Sequence, residues 1–181
     1  MRPQQPTWLD DLLFFLRWEG TQVIIHLLER VTMTRMLESK GRCLCGAVSF
    51  TAKNVSSHIG ACHCSMCRTW VGGPFVTTEC GSEVSFEGSA NITVFNSSDW
   101  AERGFCAQCG THLFYRLKET QDYFMPVGIF ADDSSFLFDH QVFIDEKPEF
   151  YAFANKTNNM TGAEAFAQYA AASSQDETRT Q

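Results

Sequence analysis

The sequence predicts a mainly β fold, and three observations carry that expectation. From about residue 42 to residue 151, short segments rich in Val, Ile, Phe and Thr alternate with breaks of Gly, Asn, Asp and Ser. Helical periodicity is confined to the two ends of the chain. Most of the eight cysteines fall in three tight groups inside the β region, where a sheet protein can be cross-linked. At 181 residues the chain is long enough for one domain with a real core and short for two.

The elements follow in order. Thr7 and Asp10 have capping-box-like spacing, and Leu9, Leu12, Leu13 and Leu16 recur at i, i+3, i+4 and i+7 before Gly20. Val23, Ile24, Leu27, Leu28 and Val31 form a second helical stripe, so residues 1–40 read as a helical hairpin. Two readings of it stand. It is a dimerisation or docking element that would build a homo-oligomer, or an extension ahead of a domain that starts at Met33 or Met36. Strands are expected at 47–52, 75–79, 92–95, 112–115, 123–129 and 136–144. Such spacing suggests curled antiparallel sheets rather than βαβ units. Residues 163–172 are Ala-rich and expected to be helical, and 173–181 are polar and expected to fray.

Charge and hydropathy remove several function classes. The formal net charge is −7 and no Lys/Arg cluster is present, whereas nucleic-acid-binding modules carry a basic face. No stretch approaches the roughly 20 apolar residues of a membrane span. The apolar run from Leu12 to Leu16 is too short for a signal-peptide core and is preceded by Asp10 and Asp11 instead of basic residues. A reducing cytoplasm is therefore the expected compartment, where clustered cysteines bind metal more often than they pair.

The cysteine motifs are Cys43-Leu44-Cys45-Gly46, Cys62-His63-Cys64-Ser65-Met66-Cys67 and Cys106-Ala107-Gln108-Cys109-Gly110. A C-x-x-C-G turn is a zinc knuckle: the spacer lets both sulfurs reach one ion, and the glycine lets backbone N–H groups turn toward the thiolates. Cys106 and Cys109 supply half a tetrahedron, and Cys43 with Cys45, also followed by glycine, is the natural other half. Cys62, Cys64 and Cys67 place three sulfurs around a second ion, the last two astride a tight turn. Three protein ligands leave one position for water or substrate, the arrangement of catalytic zinc. Cys80, His58, His63 or His112 would close that site if one of them were a ligand. His63 should point away if locally extended, and Cys80 reads as an ordinary buried thiol. Cys64 and Cys67 as a redox pair would lack the βαβ setting that such pairs occupy.

At these residues the sequence resembles the family of the glutathione-dependent formaldehyde-activating enzyme, which includes the centromere protein V domain. The matching stretches are Gly41 to Phe50, Cys62 to Arg68 with Gly73-Pro74-Phe75, Gly104 to Leu113, and Val142 to Pro148. The resemblance covers roughly 41–155, which sets the expected division into a helical extension 1–40, a zinc-binding β domain 41–155, and a C-terminal helix with frayed tail 156–181. It implies a mainly β, Mss4-like tent of sheets. It also implies a structural zinc on Cys43, Cys45, Cys106 and Cys109, and a catalytic zinc on Cys62, Cys64 and Cys67. The implied activity is a carbon–sulfur lyase reaction that forms or cleaves S-hydroxymethylglutathione from glutathione and formaldehyde.

The chemistry of the second motif agrees with that. Three thiolates leave Zn²⁺ with a single negative charge, a weak Lewis acid better suited to taking up a soft thiol than to making hydroxide. His63 and His112 are the candidates for proton transfer, each with packing as the ordinary alternative. Arg68 could receive a substrate carboxylate or make a surface ion pair. Gly72-Gly73 is either a close approach to the site or a turn, Trp70 and Phe75 are pocket wall or core, and Asp132-Asp133 reads as a solvated turn. The functional expectation is a zinc enzyme acting on a thiol adduct, glutathione-like, of formaldehyde or another small carbonyl compound. The alternative is a non-catalytic zinc-binding protein-interaction module.

Overall fold

In the computed structural model of the chain, residues 36–179 are described. The helical hairpin expected near the start falls on residues outside that range, except for its last few positions. Those positions, 36–40, are not helical: they belong to strand β1 (Met36–Arg42), which pairs antiparallel with β2 (Ser49–Ser56). The β region thus begins ahead of residue 41, because Lys40 and Gly41 find ladder partners in Thr51 and Phe50.

β2 also pairs with β5 (Val84–Glu87), giving a three-stranded antiparallel sheet in the order β1-β2-β5. The second sheet has eight strands in the order β11-β10-β3-β4-β9-β8-β7-β6. These are β3 (His58–Cys62), β4 (Phe75–Glu79), β6 (Ile92–Asn96), β7 (Ala101–Cys106), β8 (His112–Leu117), β9 (Tyr123–Pro126), β10 (Leu137–Val142) and β11 (Asn158–Met160). The expected mainly β fold is what the structure shows. One edge departs from the antiparallel expectation, since β10 pairs parallel with both β3 and β11. β11 also carries the sheet past residue 155, through the ladder from His140–Asn158 to Val142–Met160.

The core draws on both sheets. Alternation on β2 turns Phe50 and Ala52 inward, where they meet Leu113 and Phe114 of β8 and Tyr123 and Met125 of β9. Aromatic contacts bridge the layers: Phe86 of β5 lies 5.5 Å from Phe114 and 5.8 Å from Tyr123, centroid to centroid. Leu113 and Met125 are fully buried, and each such side chain contributes about 1.5–3 kcal/mol of apolar burial.

Among the described residues, two α-helices complete the fold. The short α1 (Ser65–Val71) follows β3, and Gly72 caps it by donating its N–H to the Arg68 carbonyl, so this glycine is a helix terminator. The expected C-terminal helix is longer than its Ala-rich stretch: α2 runs Gly162–Arg179. It is opened by a capping box in which Thr161 N–H donates to Glu164 Oε2 at 2.7 Å and Glu164 N–H donates to Thr161 Oγ1 at 3.3 Å. The backbone remains helical to Arg179, through the described part of the stretch expected to fray.

Candidate metal centres

The first centre is built by two turns that repeat one geometry. Cys43 N–H donates to the Val48 carbonyl, and Cys106 N–H to the Thr111 carbonyl, five residues on in each case. Inside each loop a glycine folds back on the first cysteine: Gly46 N–H reaches the Cys43 carbonyl at 3.1 Å, and Gly110 N–H the Cys106 carbonyl at 2.8 Å. Both glycines are left-handed, with φ of 77° and 74°, which a side chain would resist.

These turns bring Cys43, Cys45, Cys106 and Cys109 together with every sulfur within 4.8 Å of the others. Cys43 and Cys45 sulfurs are 3.5 Å apart, and Cys45 and Cys106 sulfurs 3.8 Å. A tetrahedral ion with metal–sulfur bonds of about 2.3 Å requires sulfurs about 3.8 Å apart, so the group fits a four-thiolate metal. None of the eight cysteines is in a disulfide. N–H and O–H donors already face the sulfurs as thiolates require. Val48 N–H donates to Cys43 Sγ at 3.3 Å, and Thr111 Oγ1 lies 3.1 Å from Cys109 Sγ. The Thr111 contacts hold the Cys109 thiol down, at about 5.

The second centre is local. Cys62 ends β3, Cys64 caps α1, and Cys67 sits in its first turn, with Cys67 N–H donating to Cys64 Sγ at 3.4 Å. The turn expected between Cys64 and Cys67 is therefore the start of a helix. Its first free N–H, on Ser65, is held at 2.7 Å by Glu146 Oε2. The three sulfurs lie within 4.8 Å of one another, and no histidine, carboxylate or further cysteine joins them among the described residues. Hydrogen bonds from Cys62 and then Cys67 hold Cys64 far down toward the thiolate, while contacts with Cys64 and Cys67 push Cys62 up.

The possible closing ligands are accounted for. His63 is fully buried and engaged at both ring nitrogens, with Tyr151 Oη at 2.8 Å and Gln141 Oε1 at 2.9 Å. The amide oxygen can only accept, so Nε2 carries the proton and Nδ1 accepts from the tyrosine. Cys80 is a buried thiol 3.7 Å from the Thr78 carbonyl, and burial pushes it up to about 12. His58 pairs with Asp139. His112 donates from Nε2 to the Phe114 carbonyl at 2.8 Å, which leaves Nδ1 as a buried bare nitrogen without a partner. Burial holds His112 down to about 4, so the ring is neutral at neutral pH.

Aromatic side chains surround the second trio. Phe75 is core, packed against Cys64 and Cys67 together with Tyr115 and Phe143. Phe143 holds a left-handed φ of 57°, a strained conformation for a bulky residue beside the site. Trp70 lies against His112 and lines a cleft of about 530 Å³ with Phe95, Phe105, Gly110 and His112. Arg68 turns back on the fold, its Nε donating to the His63 carbonyl at 2.8 Å. Asp132 Oδ1 accepts from Ser134 N–H in an exposed turn, as expected.

One residue escapes sequence reasoning. Arg103, on β7, donates from Nη2 to Cys67 Sγ at 3.4 Å. Its strand, AERGFC, has no clean alternation, since the neighbours Arg103 and Gly104 are both buried, so parity could not show which way Arg103 points. A charged residue close before a cysteine knuckle was the available signal.

The model of the glutathione-dependent formaldehyde-activating enzyme family matches residues 38–146. A Schizosaccharomyces pombe protein named an uncharacterized lyase is 38% identical over 127 residues, covering 70% of this chain and 93% of that protein. A crystal structure of a Rhodobacter sphaeroides protein matches at 27% identity with a TM-score of 0.43, covering 50% of this chain and 85% of that one. No helix among the described residues is long and apolar enough to cross a membrane.

Proposed function

We propose that this chain, which belongs to the glutathione-dependent formaldehyde-activating enzyme family, is a zinc-dependent carbon–sulfur lyase. It acts on the adduct of a thiol with formaldehyde or another small carbonyl compound, with glutathione the first thiol to test and the cytoplasm the setting. The single observation that carries this reading is the three-cysteine centre that no fourth side chain among the described residues closes. Cys43, Cys45, Cys106 and Cys109 would hold a structural zinc, and Cys62, Cys64 and Cys67 a catalytic one, two per chain.

When bound, the second ion supplies a soft Lewis-acidic position beside which a thiol gives up its proton. In the cleavage direction the adduct's hydroxyl proton leaves, its electron pair forms the carbonyl, the carbon–sulfur bond breaks, and sulfur departs with the bonding pair. The chain's own residues orient and shelter this exchange. Glu146 fixes the α1 terminus that presents Cys64 and Cys67, and Phe75, Tyr115 and Phe143 keep water from the sulfurs. Of the two histidines beside the motifs, His112 is the proton acceptor we favour, because both nitrogens of His63 are already used by the fold.

The test is cobalt substitution. Adding glutathione should change the cobalt–thiolate bands, turnover of thiol and formaldehyde should follow, and both should vanish in Cys67→Ser. An unchanged spectrum at millimolar thiol with no turnover would leave a non-catalytic zinc interaction module as the better reading.

A further inference from the structure

Arg103 is 2% exposed, and a cation taken out of water is costly unless something negative faces it. The next arginine across the β7–β8 ladder shows the ordinary solution. Arg116 is opposite Glu102, forms an ion pair with its carboxylate and donates to Tyr123 Oη at 2.8 Å. Among the described residues no carboxylate pairs with Arg103. Its guanidinium lies over Tyr115, Trp70 and Phe75, with Cζ 5.0, 5.7 and 6.0 Å from the ring centroids. One amino group, Nη2, meets Cys67 Sγ, and the other, Nη1, is buried without a partner. Ring faces attract a cation but do not neutralise it. The group placed to answer Arg103 is the Cys67 sulfur, which is negative when the trio holds a metal as thiolates.

We propose that Arg103 is the fixed counter-ion of the second centre and the residue that lets it accept an anionic sulfur ligand. The inference rests on the reading of that centre as a thiol site. A divalent ion with three thiolates is already negative, and a thiolate arriving as fourth ligand adds another negative charge. Arg103 removes one charge from each side of that step, and its aromatic surroundings keep the local dielectric low, so the interaction is weakly screened. Arginine suits this task because it stays charged and presents two donors in a fixed fork. A neutral ligand gains nothing from the same arrangement. Arg103 is thus a positioning residue that sets the ligand class, acting through Cys67 and through charge.

The experiment uses the full chain loaded with cobalt, titrated with 2-mercaptoethanol as the anionic probe and imidazole as the neutral one. Arg103→Gln keeps a polar side chain without charge, and Arg103→Lys keeps the charge. Arg103→Gln should weaken thiol binding roughly 10–100-fold, the usual range for a group that hydrogen-bonds a metal ligand, and leave imidazole binding nearly unchanged. Arg103→Lys should restore most of the thiol affinity. Loss of the second cobalt from Arg103→Gln but not from Arg103→Lys would support the same role. Equal weakening of both probes in Arg103→Gln, an unchanged thiol affinity, or loss of the second cobalt from both variants would overturn it. If the wild-type spectrum answers neither probe, the thiol-site reading itself fails. A wild-type response that survives Arg103→Gln overturns the counter-ion role alone.

Discussion

The two cysteine groups use the same chemistry at opposite ranges. The first joins the β1–β2 connection to the β7–β8 connection, with Cys45 and Cys106 separated by 61 positions in sequence, and so ties the three-stranded sheet to the eight-stranded one. Its rim is open to solvent: Leu44 is 87% exposed at the turn tip. The second closes a loop of only a few residues, yet it is wrapped in Phe75, Tyr115, Phe143 and a buried arginine. A cross-link restrains the unfolded chain more as its loop grows. A metal in the long-range group would therefore add to fold stability, whereas one in the local group would constrain little chain, which suits the thiol chemistry proposed for it.

The comparison is broken most directly by serine substitution. Cys106→Ser should cost folding free energy on the order of 10 kcal/mol, the scale of a structural zinc site in a small domain. The outcome is insoluble or unfolded protein by circular dichroism. Cys67→Ser should give a folded chain with one ion fewer by metal analysis. Equal loss of soluble protein from both would erase the distinction.

A chelator tests the same contrast without mutation. Graded removal should take the three-thiolate ion first, ending thiol binding while the thermal transition is retained, and the four-thiolate ion only with unfolding. Simultaneous loss of both would contradict the division of roles.

The histidines beside the cysteine motifs give smaller effects. His63→Ala would leave Tyr151 Oη and Gln141 Oε1 without their partner, a loss of about 1–3 kcal/mol by denaturant titration. His112 gives a pH signature. Its folded value of about 4 lies below the ordinary 6.5, so the unfolded chain binds more protons between those values. The contribution is complete above pH 6.5 and is lost as pH falls toward 4, on the order of 2 kcal/mol after allowance for partial solvent access. Acid also strips metal from thiolates, so the measurement is the difference between wild type and His112→Gln. The smallest effect is expected from removing residues 1–35. Both centres lie within the unit that begins at Met36, and a chain starting there should keep two ions and nearly the same melting temperature. A changed mass in size-exclusion chromatography would instead reveal an assembly role.

What could be read in advance was what is local. The glycine after each cysteine pair, the three-sulfur spacing and strands such as Phe75–Glu79 are set by neighbours in sequence, and the structure brings those sulfurs together as their spacing suggests. What escaped depends on partners far along the chain. β1, MLESKGR, is polar and becomes a strand only against β2, while β11, NNM, exists because β10 offers it a ladder. β3, HIGAC, hides behind a glycine over which the His140 ring packs. Arg103 was hidden for the same reason, since the sulfur it meets, on Cys67, lies 36 positions away in sequence.

That strand has one more consequence. β7 carries Cys106 to one centre and Arg103 to the other. An ion that fixes Cys106 also fixes where Arg103 stands, and an ion held beside Arg103 steadies the strand that presents Cys106. Coupling of this kind is reciprocal by thermodynamic necessity. Under metal scarcity the three-thiolate ion is then held more firmly for as long as the four-thiolate ion remains, and its loss loosens the strand that presents Cys106.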